Sequence, residues 1–186
     1  MRVIGGEFRS RRLKSVPGLE TRPTPDRLRE ALFNVLAPRI EGAIFLDVYA
    51  GTGAVGIEAL SRGAKRCLFV EKNRGAVAVI RENLAELGLE SRAEVYTSKP
   101  APVLERVNAD IVFLDPPYEM ENEREAVLTA LGALQHPLVV VQHASRSAPR
   151  EEYGSLCRYR VLKQGDNSLS FYRRDVPSDE ATAILY

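Results

Sequence analysis

Apolar residues along the chain occur in short continuous runs, which alternate with longer stretches where apolar positions recur every three or four residues. The runs predict buried strands, and the periodic stretches predict helices. The predicted strands are residues 44–48, 66–71, 93–97, 109–114 and 138–141, and the helices between them are 54–60, 74–87, 102–107 and 123–134. Because strands that alternate with helices form a mainly parallel sheet covered on both faces, we expect an α/β domain.

The carboxyl-terminal part of the chain departs from this alternation. Residues 157–162 and 168–173 predict two strands, and the connection between them is too short to hold a crossover helix. We therefore expect an antiparallel hairpin at the edge of the sheet, which brings the sheet to seven strands.

The amino-terminal part also differs from the central pattern. Residues 2–14, with Gly5-Gly6 at their centre, predict a small β-hairpin outside the sheet, and Pro25 precedes an amphipathic helix at 26–36. The expected organisation is a basic amino-terminal extension, a main domain and a loosely ordered tail, at residues 1–40, 41–175 and 176–186.

Composition indicates a soluble globular protein. The chain has 186 residues, of which 45% are hydrophobic and 27% charged, with no apolar stretch long enough to span a bilayer and no signal-peptide pattern. Cys67 and Cys157 do not form a metal-ligand spacing. We therefore expect reduced thiols, no bound metal and a cytoplasmic location.

Charge is unevenly distributed along the chain. The first 40 residues contain nine Arg and Lys against four acids, whereas the whole chain contains 26 and 25. A basic segment on a slightly acidic body suggests a polyanionic partner, although composition alone fits a solvated surface segment equally well. The candidate contacts with such a partner are Arg2, Arg9, Arg11, Arg12, Lys14 and Arg22.

A glycine-rich turn follows the first predicted strand. Gly51-x-Gly53-x-x-Gly56 also fits a dinucleotide-binding pattern, but alone this pattern is a weak signal. Asp47, at the end of the strand, would repel a pyrophosphate and would accept a cationic ligand such as S-adenosylmethionine (SAM). The cofactor-binding candidates in this region are Asp47, Tyr49, Ala50, Gly51, Thr52 and Gly53.

An acidic residue ends the second predicted strand. Glu71 can accept hydrogen bonds from both hydroxyls of an adenosine ribose, a role that serves nicotinamide cofactors and SAM alike. It can equally be a strand-end acid that pairs with a neighbouring cation. Lys72 and Asn73, which follow Glu71, are further cofactor-binding candidates.

The tetrapeptide Asp115-Pro116-Pro117-Tyr118 follows the fourth predicted strand, at the edge where open α/β sheets place their ligands. The Asp115 carboxylate and the Pro116 carbonyl can both accept hydrogen bonds from a planar amino group, and Tyr118 offers a face for stacking. Two prolines restrict the backbone and hold these acceptors rigid. We therefore predict that these four residues are catalytic.

The chain resembles, nearly end to end, the bacterial small-subunit ribosomal RNA guanine-N2 methyltransferases of the RsmD type. The tetrapeptide alone points only to amino-group methylation, and the amino-terminal motifs make the resemblance specific. The matching motifs are Arg2-Val3-Ile4-Gly5-Gly6, Arg22-Pro23-Thr24, Asp26-Arg27-x-Arg29-Glu30, Leu46-Asp47-x-x-Ala50-Gly51-Thr52-Gly53, Val70-Glu71-Lys72-Asn73 and Asp115-Pro116-Pro117-Tyr118.

This resemblance implies a Rossmann-like class I SAM-dependent methyltransferase that acts on a guanine of 16S ribosomal RNA. It implies SAM as methyl donor and S-adenosylhomocysteine (SAH) as product. The expected enzyme is a monomer that meets its RNA within a small-subunit assembly particle. Ser98 and Lys99 stand where the family usually has an acid near the adenine of SAM, so Ser98 is the candidate for adenine recognition.

Two alternative functions fit part of the pattern. An adenine-N6 methyltransferase of DNA or RNA would use the same tetrapeptide, and only the amino-terminal motifs argue against it. A nicotinamide-dependent oxidoreductase fits the glycine turn and Glu71 but gives residues 115–118 no role.

Overall fold

A computed structural model, which describes residues 1–16 and 25–174, contains one mixed sheet with helices on both faces. The strands are β1 (Ile44–Val48), β2 (Arg66–Glu71), β3 (Ala93–Thr97), β4 (Ile111–Leu114), β5 (Leu138–Ala144), β6 (Glu152–Tyr153), β7 (Leu156–Gln164) and β8 (Asn167–Arg174). The helices are α1 (Asp26–Ile40), α2 (Ala54–Ser61), α3 (Arg74–Leu87), α4 (Pro100–Leu104) and α5 (Glu121–Ala133). Among these described helices, none is long and apolar enough to cross a membrane.

The strand order is β3-β2-β1-β4-β5-β8-β7-β6, and β1 to β5 are parallel. From β1 the chain proceeds outward to β2 and β3, then returns to place β4 on the other side of β1. This reversal leaves a crevice beyond the carboxyl ends of β1 and β4, where open α/β sheets bind their ligands.

Two apolar layers bury the two faces of the sheet. On one face Phe45 and Phe113 pack with residues of α1, α2 and α3, such as Leu32 and Ile57. On the other face Val48 packs with residues of α4 and α5. Because side chains alternate between the faces, the central strands are apolar along their whole length, as the sequence predicts.

Local signals account for several element boundaries. The Asn73 side chain caps α3 by accepting a hydrogen bond from the Ala76 N–H at 3.0 Å, and Gly88 ends the helix in the left-handed conformation at φ 65°. Both boundaries are confirmed. Helix α4 begins at Pro100, before the predicted start at 102, because proline fits the first turn of a helix. Helix α1 extends to Ile40, which is buried in the core.

The expected α/β class and terminal hairpin are confirmed, but the predicted number of strands is wrong. The sheet has eight strands, because residues 152–153 form a short strand beside the start of β7. Two residues are too few to give a hydrophobic period. The hairpin strands are also longer than predicted and leave only Gly165 and Asp166 as the turn.

The predicted amino-terminal β-hairpin is reduced to one antiparallel bridge, between Arg2 and Arg12, with backbone hydrogen bonds from Val3 to Arg11 and from Leu13 to Met1 beside it. The N–H groups of Ile4 and Gly5 also donate to the buried Glu58 carboxylate of α2, each at 2.8 Å. The segment is therefore held both by its own backbone bonds and by α2. The predictions for Arg22 and for the tail lie outside the described residues.

Gly6 lies against the carboxyl end of α2. Its φ is +78°, and a Cβ atom there would lie 1.9 Å from the Ser61 carbonyl oxygen. We predict that Gly6→Ala lowers the free energy of unfolding by about 3 kcal/mol, from left-handed strain and overpacking together. Gly42→Ala is the control, because Gly42 has φ +73° with nothing within 4 Å and should cost only about 1 kcal/mol. Urea unfolding measures both, and equal losses would refute the close-contact explanation.

Candidate active site

A cavity of about 490 Å³ lies at the carboxyl ends of β1, β2 and β4. This volume falls within the range of about 300–1,000 Å³ that is common for small-molecule sites. The described residues that line it are Met1, Val16, Asp47, Tyr49, Ala50, Gly51, Thr52, Ala54, Val55, Glu71, Lys72, Asn73, Ala76, Phe113, Asp115, Pro116, Pro117, Tyr118, Glu119 and Gln142. Most of the predicted cofactor-binding residues and all four predicted catalytic residues therefore meet in one place.

The glycine turn crosses from β1 to α2 in an unusual backbone conformation. Tyr49 has φ +64°, which is rare for a residue with a side chain, and Gly51 and Gly53 have φ +55° and +78°. The N–H groups of Tyr49 and Ala50 both donate to the Val70 carbonyl, at 3.0 and 3.1 Å. Gly53 does not line the cavity, so its role is to turn the chain into α2.

Tyr49 is held from the opposite side of the site. Its hydroxyl donates to Glu123 Oε1 of α5 at 2.9 Å. Burial, with the nearby Glu123 carboxylate, raises the pKa of the Tyr49 hydroxyl far above its usual value. The side chain is therefore a fixed, neutral wall of the cavity.

Asp47 is a buried carboxylate at the centre of the site, with 1% of its surface exposed. Its Oδ2 accepts the Gly56 N–H in the first turn of α2 at 2.8 Å. Burial raises the pKa of Asp47 well above the usual value, and the charges of Asp115 and Glu71 raise it further, while the bond from Gly56 opposes them. An ionised Asp47 is therefore costly until a cation comes close.

Glu71 connects the two loops that follow β1 and β2. Its Oε2 accepts the Gly51 N–H at 3.0 Å, and its Oε1 accepts the Asn73 N–H at 2.8 Å. Each carboxylate oxygen has a further lone pair, so Glu71 can still accept two hydroxyl groups.

Carboxylates dominate the charge of the cavity wall. Among its described lining residues are four acidic side chains, at positions 47, 71, 115 and 119, against one cationic side chain, that of Lys72. In addition, the Asp47 carboxylate already occupies the Gly56 N–H, a donor that a bound pyrophosphate would need at the start of α2. The cavity therefore favours a cationic ligand over a dinucleotide.

The tetrapeptide after β4 forms one wall of the cavity. The Asp115 N–H donates to the Val48 carbonyl at 3.3 Å, which ties the end of β4 to β1. Pro116 is buried, and none of the described residues donates a hydrogen bond to its carbonyl. The Tyr118 hydroxyl donates to Asn167 Oδ1 at the start of β8. The terminal hairpin thus helps to hold the aromatic ring beside Asp115.

Several lining residues were not predicted from the sequence. Gln142 is 3% exposed and lies on β5, past the end of the predicted strand, where a polar residue after an apolar run was the only available signal. Met1 and Val16 reach the cavity from the amino-terminal segment, which no local pattern could show.

Ser98 lies beside the cavity and not among its described lining residues. Its hydroxyl donates to the Lys99 carbonyl at 2.9 Å, and its N–H donates to the Glu71 carbonyl at 3.2 Å. The predicted role of Ser98 in adenine recognition stays a prediction.

The predicted RNA contacts that the structure describes all lie on the exposed side of residues 1–16. Arg2 is 3.9 Å from Asp26, and the Arg11 guanidinium donates to the Glu86 carbonyl at 3.4 Å. Lys14 pairs with Glu82 and Glu86 of α3. The side chains of Arg9 and Arg12 make no ion pair or hydrogen bond with any described residue.

Comparison with known proteins relates this site to a family. The family profile described as conserved hypothetical protein 95 matches residues 1–173. The chain is 35% identical over 183 residues to YlbH of Bacillus subtilis, provisionally named an rRNA methyltransferase, across 94% of this chain and 99% of that protein. It is 44% identical over 122 residues to ribosomal RNA small subunit methyltransferase D of Escherichia coli, across 63% of this chain and 60% of that protein.

A solved structure shares the architecture over nearly the full length. The Escherichia coli protein yhhF, provisionally described as a methyltransferase, matches with a TM-score of 0.83 and 32% identity, covering 95% of this chain and 98% of that one. The family profile includes the amino-terminal segment, the glycine turn and the tetrapeptide. The chain therefore belongs to the family described as conserved hypothetical protein 95, and its resemblance to the RsmD-type methyltransferases is confirmed.

Proposed function

We propose that this protein transfers a methyl group from SAM to the exocyclic N2 amino group of a guanine in small-subunit ribosomal RNA. The observation that carries the proposal is the tetrapeptide at positions 115–118, which forms a wall of the same cavity as Asp47 and Glu71. Acceptors for a planar amine therefore share one site with acceptors for a cationic nucleoside. The similarity to ribosomal RNA small subunit methyltransferase D of Escherichia coli supports RNA as the substrate.

The cavity wall offers a partner for each part of SAM. Glu71 accepts the two ribose hydroxyls with its remaining lone pairs. Asp47 balances the positive charge of the methionine portion, and Tyr49 packs beside the ligand. The adenine lies next to Glu71, beside Lys72 and Asn73, and Ser98 is its candidate partner just outside the lining residues.

The chemistry needs positioning more than acid–base catalysis. The guanine amine is a weak nucleophile because its lone pair is conjugated with the ring. Asp115 and the Pro116 carbonyl accept its two N–H bonds and point the nitrogen at the methyl carbon. That carbon moves from sulfur to nitrogen, sulfur leaves uncharged as SAH, and the nitrogen then loses a proton. Holding the reacting atoms in line is the main catalytic contribution.

Tyr118 holds the target base in this arrangement. Its ring is fixed by the hydroxyl bond to Asn167, so a base turned out of its RNA stack finds a prepared aromatic surface. The exposed basic residues of the amino-terminal segment contact RNA phosphates. The protein acts as a monomer in the cytoplasm, on RNA within an assembly particle.

The function is tested by incubating the protein with labelled SAM and unmodified small-subunit RNA, either free or in ribonucleoprotein form. Digestion and chromatography of the product should yield N2-methylguanosine. If the labelled product were N6-methyladenosine, the acceptor would be adenine and not guanine. RNA that acquires no label would refute the proposal.

The first prediction from this proposed function concerns the catalytic carboxylate. Asp115→Ala should lower the rate of methyl transfer at least ~100-fold, because one of two preorganised acceptors is lost. SAH affinity should change little, since the ribose and methionine partners remain. The matched control is Asp110→Ala at the opposite end of β4, where the carboxylate accepts the Ile44 N–H at 2.8 Å. The control should lower stability without lowering the rate per folded molecule, and an active Asp115→Ala enzyme would contradict the mechanism.

The second prediction concerns the buried carboxylate. Asp47→Asn keeps an acceptor for the Gly56 N–H but removes the negative charge, so SAM affinity should fall ~10- to 100-fold, as expected for losing a charged partner worth about 1.5–3 kcal/mol. Calorimetric titration with SAM measures this loss. Unchanged affinity would remove Asp47 from the cofactor site.

The third prediction concerns the pH dependence of stability and of SAM affinity that Asp47 causes. Because the pKa of Asp47 is raised in the folded protein, the stability that this group contributes is lost as pH rises through that pKa. A bound cation favours the ionised form, so SAM affinity should rise over the same interval as Asp47 loses its proton. Asp47→Asn should show neither trend, and parallel pH profiles for both proteins would contradict this assignment.

The fourth prediction concerns RNA binding. Arg9→Gln combined with Arg12→Gln should weaken RNA binding and reduce the slope of log K against log salt by about 1.5, because two phosphate contacts are lost. SAH affinity should stay constant. The control is Lys65→Gln combined with Arg106→Gln, which removes two exposed cations elsewhere. Equal effects from the two double variants would show that only net charge matters.

A further inference from the structure

The amino-terminal segment, residues 1–16, forms part of the wall of the cofactor cavity. Met1 and Val16 line the cavity, while Val3 and Leu13 are buried in the core with 1% and 6% exposed. The Leu13 N–H donates to the Met1 carbonyl at 3.0 Å, so the two ends of the segment lie side by side. The segment therefore carries basic residues on its exposed side and lines the cofactor cavity with its other side.

One buried amide joins this segment to the glycine turn. Asn83 of α3 is 1% exposed, and its Oδ1 accepts the Lys14 N–H at 2.8 Å. Its Nδ2 donates to the Lys14 carbonyl at 3.3 Å and to the Thr52 carbonyl at 3.2 Å. Thr52 lies in the glycine turn and lines the cavity. A single side chain therefore fixes both walls relative to each other.

The side chain of Lys14 attaches the segment to α3 through two further contacts. Lys14 Nζ lies 2.6 Å from Glu86 and 3.1 Å from Glu82, both on α3. Because Val16 follows only two residues later, its place at the cavity depends on how position 14 is held. Loss of the Asn83 amide would free both Lys14, which precedes Val16, and the Thr52 carbonyl.

We propose that Asn83 is a positioning residue that couples the amino-terminal segment to the cofactor turn, so that SAH and RNA bind with positive cooperativity. The identities of the two ligands rest on the function proposed above. A ligand in the cavity holds Thr52 and Val16 in place. Because the Asn83 amide bonds both Thr52 and Lys14, it then also restricts the motion of the segment whose exposed side carries Arg9 and Arg12. RNA bound to that face orders the cofactor turn in return, because coupling between two sites is reciprocal.

A buried asparagine that only satisfies backbone groups would affect stability alone. A positioning residue would also change the affinity for SAH and the coupling between the ligands. The two roles are separated by comparing Asn83→Leu with Tyr172→Phe, which removes another buried side-chain bond, the 2.6 Å donation from the Tyr172 hydroxyl to the Arg150 carbonyl.

Both variants should lower the Tm: Tyr172→Phe, which loses one hydrogen bond, by about 3 °C, and Asn83→Leu, which leaves three backbone groups without a partner, by roughly two to three times as much. Calorimetric titration with SAH at a temperature where both are folded should show ~10-fold weaker binding for Asn83→Leu and no change for Tyr172→Phe. Asn83→Asp is the second variant, in case the first does not fold. It retains an acceptor for the Lys14 N–H but cannot donate to Thr52, so it should also bind SAH more weakly.

The coupling is measured by titrating small-subunit RNA with and without saturating SAH. In the wild-type protein SAH should tighten RNA binding by ~5-fold, within the usual range of coupling between sites. In the Asn83 variants this factor should fall to about 1. SAH affinity within twofold of wild type in both Asn83 variants, or an unchanged coupling factor, would overturn the positioning role while leaving the proposed methyltransferase function intact. A wild-type protein that binds no SAH would overturn both.

Discussion

The bond between the buried Asp47 carboxylate and the Gly56 N–H, at 2.8 Å, joins the end of β1 to the start of α2 and shapes the ligand site around it. It draws the glycine turn over the end of the sheet, and Glu71 holds the same turn through Gly51. Because Asp47 is buried and forms no ion pair with a described residue, its ionised form has no compensating cation until a ligand supplies one. The site is therefore built to bind positive charge before any specific ligand contact is considered.

A second buried carboxylate, Glu58, performs a comparable task for the amino-terminal segment. It is fully buried, accepts two backbone N–H groups of that segment, and lies 2.8 Å from the Arg62 guanidinium and 3.8 Å from that of Arg29. The Arg29 guanidinium also donates to the Arg2 carbonyl at 2.5 Å, and burial lowers the pKa of Arg29. The segment that carries the basic residues is therefore anchored in the same core as the central sheet.

The parts of the fold that depend on local chemistry could be predicted from the sequence. The central strands follow from apolar runs buried on both faces, and Asn73 and Gly88 mark the ends of α3 because capping depends on nearby backbone groups. The tetrapeptide and Glu71 could be placed in one site because parallel strands end at the same edge. Features that depend on distant contacts could not be predicted. Gly5-Gly6 suggested a hairpin turn, whereas these glycines allow contact with Arg62 and Ser61. Met1 and Val16 enter the cavity only through tertiary packing.

The central proposal is that the methyl acceptor is the N2 amino group of guanine, held by Asp115 and Pro116. It is tested most directly by comparing SAM-dependent methylation of small-subunit RNA containing guanosine with that of the same RNA transcribed with inosine, which lacks only this amino group. We expect full methylation of the guanosine RNA and none of the inosine RNA, with wild-type SAH binding in both reactions. Methylation of the inosine RNA would contradict it, because the methyl group would then have gone to a ring atom, a ribose or an adenine.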